Sequence, residues 1–163
     1  MKDKIQYKTS MDSTVETRYI VMPEHANHYG TIFGGIIMSW IDIIAAMVAE
    51  RHCSHEAVTV SIDKIDFISP IFIGDHVILK ASVNYVGNTS MEIGVLVERE
   101  NPQKQKRQKA TSAYLTFVGL DKNKKPVKIP KLKLTSDDEK RRYKNAELRV
   151  KSRKDLMNKI KKR

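Results

Sequence analysis

Gly34-Gly35-Ile36-Ile37-Met38-Ser39-Trp40-Ile41-Asp42-Ile43-Ile44-Ala45-Ala46-Met47-Val48-Ala49 decides how this chain folds. From Ile36 to Ala49 the run is apolar except for Ser39 and Asp42. A helix that is hydrophobic on every side is one that the rest of the chain wraps around. Asp42 has no Lys or Arg within a turn or two to pair with. Burying such a carboxylate costs roughly several kcal/mol, so a ligand or a reaction is expected to compensate. Three, four and seven residues to either side, on the same helical face, lie Gly35, Met38, Ser39, Ala45, Ala46 and Ala49. All but Met38 are small, so the carboxylate stands on a low strip that a ligand or a second backbone can approach. Taken alone, Asp42 reads equally well as a cap for a neighbouring segment or as the partner of a distant arginine.

Outward from the helix the pattern changes. Upstream, Glu24–Thr31 holds His, Asn and Gly with no apolar period and reads as a loop. Glu16–Met22 reads as a short strand ended by Pro23, and residues 1–15 as a polar, flexible N-terminus. The helix is expected to begin near Gly34 or Gly35 and to end near His52. Downstream, Val58, Val60 and Ile62 alternate, then Ile65 and Phe67 continue on the other phase, which predicts a bulge around Asp63-Lys64. Val77, Leu79, Ala81, Val83 and Tyr85 form a second alternation, and Met91, Ile93, Val95 and Val97 a third. The last runs from Lys109 to Leu120. Short connections such as Gly87-Asn88 imply antiparallel neighbours. One strand, a long apolar helix and four antiparallel strands make an α+β fold, with residues 16–121 as the folded unit. One side of the helix is left uncovered by a single sheet, so at least a dimer is expected.

The formal charge of +11 is unevenly placed. Residues 1–121 hold 12 Lys and Arg against 14 Asp and Glu, a balance of −2; residues 122–163 hold 18 against 5, a balance of +13. The basicity belongs to a tail, a linker with Pro126 and Pro130 followed by a helix. Ser136-Asp137-Asp138-Glu139 is a capping box for that helix, which is read as basic and mostly solvated. The single cysteine, Cys53, excludes an intrachain disulfide framework and suits a reducing compartment. No apolar core follows the N-terminal charges, and the central apolar run is too short for a membrane span. A soluble, cytoplasmic protein is expected. His25-x-x-His28 and His52-x-x-His55 lack the Cys or clustered acids that would complete a metal shell, so no metal is expected.

Pro23-x-x-x-Asn27-x-x-Gly30-x-Ile32-Phe33-Gly34-Gly35, with Asp42 seven residues on, resembles the signature of the acyl-CoA thioesterases of the hotdog fold. The resemblance continues through Val58–Asp63, Asp66–Pro70, Gly74-Asp75, Val86–Glu92, Ala113–Val118 and Asp137–Arg142, covering roughly residues 16–150. It implies a long helix wrapped by a curved antiparallel sheet. It also implies homodimers, often arranged as trimers of dimers, with Asn27 and Asp42 of one site drawn from opposite subunits. Asp42 is then general base or nucleophile. Asn27, which by itself reads as an Asx-turn residue, would position the water or the thioester carbonyl. Free amides at Gly34 and Gly35 would form the oxyanion hole. Phe33, Thr59, Asp66, Phe67 and the turn Gly87-Asn88-Thr89-Ser90 would contact the substrate. Coenzyme A is part of substrate and product, so no separate cofactor is implied. Two other readings stand beside this one: a hotdog protein acting on an acyl-carrier-protein thioester, and a module whose basic tail binds nucleic acid or an anionic membrane surface. No histidine precedes the helix as it does in hotdog dehydratases, which counts against that chemistry.

Overall fold

Each alternating run downstream of the helix becomes a long strand. In the computed structural model, which describes residues 6–161, the order is β1 (Tyr7–Thr9), β2 (Val15–Ile20), a 3-10 turn (Pro23–His25), α1 (Gly34–Cys53), β3 (Glu56–Phe67), β4 (His76–Val86), β5 (Ser90–Asn101), β6 (Lys106–Leu120), β7 (Lys131–Lys133) and α2 (Asp137–Lys161). Five strands form one antiparallel sheet in the order β2-β4-β5-β6-β3. The architecture is the α+β hotdog, a helix held by a curved antiparallel sheet. Among the described residues no helix is long and apolar enough to cross a membrane.

One face of α1 forms the core. Ile37, Ile41, Ile44 and Val48 are fully buried against Leu79, Ile93, Leu115 and Phe117 of the sheet. Burying four such aliphatic side chains stabilises the fold by about 6–12 kcal/mol in all. The other side of the helix is left uncovered by the single sheet, as expected. Met38, Ser39, Ile43 and Met47, on the other side, are exposed. At the C-terminal end Ser54 takes a left-handed conformation (φ 58°). Lys8 Nζ donates to the Arg51 carbonyl at 2.8 Å and to Ser54 Oγ at 2.9 Å, placing a cation where the helix dipole is negative.

β3 carries the predicted slip at Asp63 and a second one at Val60. The two slips reset the pleat, so that Thr59, Ile62, Ile65 and Phe67 all lie opposite inward-facing partners (Phe117, Leu115, Ala113 and Thr111). Strict alternation would have sent some of them to the outer face.

Residues 1–5 of the N-terminus lie outside the described residues. Tyr7–Thr9, within the N-terminal segment, forms β1, parallel to β7. The turn after it is closed by Asp12, whose carboxylate accepts from Thr9 N at 2.7 Å. α2 is mostly solvated, as expected, but one side of it is tied to the sheet. Its capping box forms as predicted, with Glu139 N donating to Ser136 Oγ at 3.2 Å and Ser136 N to Glu139 Oε2 at 3.3 Å. Its arginines then grip the outer face of the sheet. Arg142 donates to Ser82 Oγ at 2.8 Å. Arg149 makes a two-pronged contact with the buried Glu92 (3.0 and 2.6 Å) and lies over the Tyr114 ring. Arg153 meets both oxygens of Asp63 at 2.6 Å and Thr116 Oγ1 at 2.6 Å. Burial alone would raise the carboxyl pKa of Asp63, but hydrogen bonds from Ser61 and Arg153 outweigh it and hold the group below its ordinary range.

Candidate active site

Asp42 emerges from α1 beside β3, the edge strand, on the side of the helix that the sheet leaves open. It is half-buried. Thr59 of β3 donates its hydroxyl proton to Asp42 Oδ1 at 2.7 Å. One carboxylate oxygen is thus held by a short, charge-assisted bond, which fixes the plane of the group. Thr59, expected from the resemblance to contact substrate, is thus hydrogen-bonded to Asp42 in the single chain. No local pattern signals this pairing, because the two residues lie on different elements. Along α1 and β3, Met38, Ile43 and Met47 of the helix and Val60, Ile62 and Phe67 of the strand leave apolar surface exposed. Such a surface beside an unpaired sheet edge has the character of an interface.

Asn27 sits in a small loop folded back on itself. Ala26 bridges Ile32, and Asn27 N donates to the Thr31 carbonyl at 2.7 Å. Gly30, at φ +77°, occupies the left-handed region that this reversal requires. Asn27 Oδ1 accepts from Tyr29 N at 2.9 Å, and Nδ2 donates to Thr31 Oγ1 at 3.0 Å. The Asx-turn reading therefore describes the local geometry, and it leaves one Nδ2 proton of the half-buried side chain for another acceptor.

The loop leads directly into α1. Phe33 N is tied to the His25 carbonyl at 2.8 Å, while the Phe33 carbonyl accepts from Ile36 N at 2.9 Å. Phe33 is the N-cap and supplies no side-chain cap, and among the described residues no side chain accepts from the first-turn amides at Gly34 and Gly35. At Gly35 the absent Cβ leaves room for the Phe33 ring, whereas at Gly34 a Cβ would make only ordinary contact. A Cβ at Gly35 would fall 2.4 Å from Phe33 Cε1, and one at Gly34 would fall 3.4 Å from Phe67 Cζ. Next to them is a cavity of about 350 Å³ lined mainly by apolar atoms of Ile32, Ile37, Phe67, Ile68, Pro70 and Ile71. Ile68, Pro70 and Ile71 were not among the expected contact residues; their apolar run reads as a strand end and connection.

A single chain does not unite these groups. Gly35 and Asp42 are seven residues apart on one helix, about 10 Å at 1.5 Å per residue. The turn Gly87–Ser90 is at the opposite end of the sheet from the Gly34 amide. Its strand residue Ser90 pairs through Val118 with the beginning of β3, whereas Gly34 meets Phe67 at the end of β3. There the turn carbonyls accept from Lys131 Nζ, Ile129 N and Gly119 N. Asp66 pairs with Lys64 at 2.9 Å, away from Asp42. Among the described residues no three His, Cys, Asp or Glu side chains converge as metal ligands. His52 is fully buried, between Ser13 Oγ (3.3 Å) and the Pro130 carbonyl (3.0 Å), and burial pushes its pKa down.

Residues 29–106 match the model of the thioesterase superfamily. An uncharacterized acyl-CoA thioester hydrolase of Bacillus subtilis is 42% identical over 83% of this chain and 78% of its own length. A hexameric acyl-CoA thioesterase solved without ligand superposes with a TM-score of 0.91 at 37% identity, over 94% of this chain and 98% of its own. An acyl-CoA hydrolase from Staphylococcus aureus, solved with butyryl coenzyme A and coenzyme A, gives 0.89 at 37% identity over 96% and 95% of the two chains. That hydrolase has also been solved with an aspartate, an asparagine or a threonine replaced by alanine. Matched mammalian thioesterases are longer, this chain spanning 24% of one and 33% of another. The chain belongs to the acyl-CoA thioester hydrolases of the thioesterase superfamily.

Proposed function

We propose that the protein hydrolyses fatty acyl-CoA to the free acid and coenzyme A at sites completed by two copies of the chain. The observation that carries this reading is the Asp42 carboxylate held by Thr59 at the open edge of α1 and β3. In a dimer formed along that edge, Asp42 of one copy faces the Asn27 loop and the Gly34-Gly35 amides of the other. Asp42 Oδ2 then takes a proton from water whose oxygen attacks the thioester carbonyl carbon, or Oδ2 attacks directly to give an anhydride that water opens. Either way the carbonyl oxygen becomes an oxyanion, which the uncapped helix amides stabilise. The free Nδ2 proton of Asn27 orients the water or the carbonyl. The C–S bond breaks, and coenzyme A leaves as the thiol after taking up a proton. Phe33, Phe67 and the adjacent cavity accommodate apolar parts of the substrate, while Gly87–Ser90 of a neighbouring copy contacts the coenzyme A moiety. Pairs of this kind assembled into a hexamer, working in the cytoplasm, complete the reading. It is supported by the hexameric and cytosolic relatives. The binding of the arginines of α2 to the sheet speaks against a nucleic-acid module, since Arg142, Arg149 and Arg153 are engaged inside the fold.

Release of free thiol from a panel of acyl-CoAs tests the proposal. Wild type is expected to turn over several of them, and Asp42→Ala and Asn27→Ala to lose at least about a hundredfold in kcat. Full activity of Asp42→Ala, or no turnover of any acyl-CoA by wild type, overturns it.

A further inference from the structure

α2 crosses the outer face of the sheet strand by strand. Arg142 holds Ser82 on β4, Arg149 holds Glu92 on β5 and covers Tyr114 on β6, and Arg153 holds Asp63 on β3 and Thr116 on β6. From 142 to 153 the helix advances about 16 Å. Three strand spacings from β4 to β3 span about 14 Å, so the helix runs nearly square across the strands. β3 is the last strand, yet α2 continues to Lys161. Eight more residues extend the helix by about 12 Å, or some two and a half strand spacings, beyond Arg153, whose guanidinium meets the last two strands of the sheet.

The overhanging part does not have the sequence of a solvated end. Leu156, Met157 and Ile160 lie three, four and seven residues beyond Arg153, on the same side of the helix that faces the sheet. In the single chain they are 58%, 50% and 59% exposed, an apolar underside with no strand beneath it. The edge next to them is the one whose apolar surface points to self-association. We infer that the end of α2 is a strap that lies over the outer face of a second copy of this chain, its apolar underside covered by that copy. The inference rests on the proposed pairing along β3. It adds a second, outer contact to the pair, on the opposite face of the sheet from Asp42 and Thr59. By two-fold symmetry each copy straps the other.

Single-cysteine variants test this in a Cys53→Ser background. Met157→Cys marks the underside and Lys144→Cys the solvent side of the same helix. In the native oligomer Met157→Cys is expected to react with a maleimide at least about tenfold more slowly than Lys144→Cys. A chain ending at Arg153 is expected to keep the thiol-release rate of the assembled enzyme, but to dissociate at about tenfold higher concentration by sedimentation or light scattering. Met157→Glu, which leaves the helix intact, is expected to act in the same direction. If wild type is oligomeric and the two cysteines react equally fast, the strap is wrong while the pairing stands. If wild type is a monomer at micromolar concentration, the pairing fails and the strap with it.

Discussion

Replacing Thr59 by valine removes one hydroxyl and keeps the shape of the side chain. The lost group donates to Asp42 Oδ1 at 2.7 Å. A hydrogen bond to a charged group is worth about 1.5–3 kcal/mol. If the bond holds the carboxylate in its working plane, the loss falls on the transition state. At about 1.4 kcal/mol per tenfold in rate, kcat is expected to drop by roughly ten- to a hundredfold, with KM little changed. Thermal stability should shift little, because the hydroxyl is near the surface and valine suits a strand. Thr59→Ser retains the donor on a freer side chain and should lose only a few-fold. The assay is steady-state thiol release across acyl-CoA concentration for the three proteins. Unchanged kcat in Thr59→Val would refute the orienting role. A loss as large in Thr59→Ser would refute it too, since the hydroxyl would then not be the group that matters.

Two further predictions concern the scaffold. Arg149→Met leaves the buried Glu92 carboxylate with Asn84 but without its two-pronged partner, and is expected to cost about 3–5 kcal/mol in urea unfolding. Adding Glu92→Leu should restore most of that, because the uncompensated charge goes with it; failure of the double variant to recover would show that the helix is held by something else. Burial holds the pKa of His52 below the ordinary 6.5, by desolvation first of all. The unfolded chain therefore binds the proton more readily, so this group's stabilisation is complete above about pH 6.5 and declines as the pH falls toward the folded-state pKa. Urea midpoints at pH 7 and pH 5 should differ more for wild type than for His52→Gln, and equal slopes would contradict the linkage.

Much of the molecule could be read from local pattern. The unbroken apolar run Ile36–Ala49 and the alternations after His55 reflect which segments the chain can bury and which it shares with water. That division is a property of the segment, so the α+β class, the helix limits near Gly34 and Cys53, and the four long strands follow from it. Asp42 stood out for a similar reason, whereas Asn27 was marked only by the resemblance to the thioesterase signature. A carboxylate in an apolar helix and two glycines at its start are costly choices that call for a chemical cause.

Only the tertiary structure decided which distant residues meet. Thr59 reaches Asp42 because the slips at Val60 and Asp63 set the pleat of β3, a register effect that alternation only half reveals. The same slips aim Asp63 outward to Arg153, which turns a helix that composition marks as solvated into a bolt across the sheet. β1 pairs with β7 although each is only three residues long and too short to carry a periodic signal. The placement of Asn27, Gly34 and Asp42 also came from the fold. About 10 Å of rigid helix separates the amide end from the carboxylate in one chain. No spacing in a sequence states which groups a second copy will bring together, because that depends on the surface left uncovered once the first has folded.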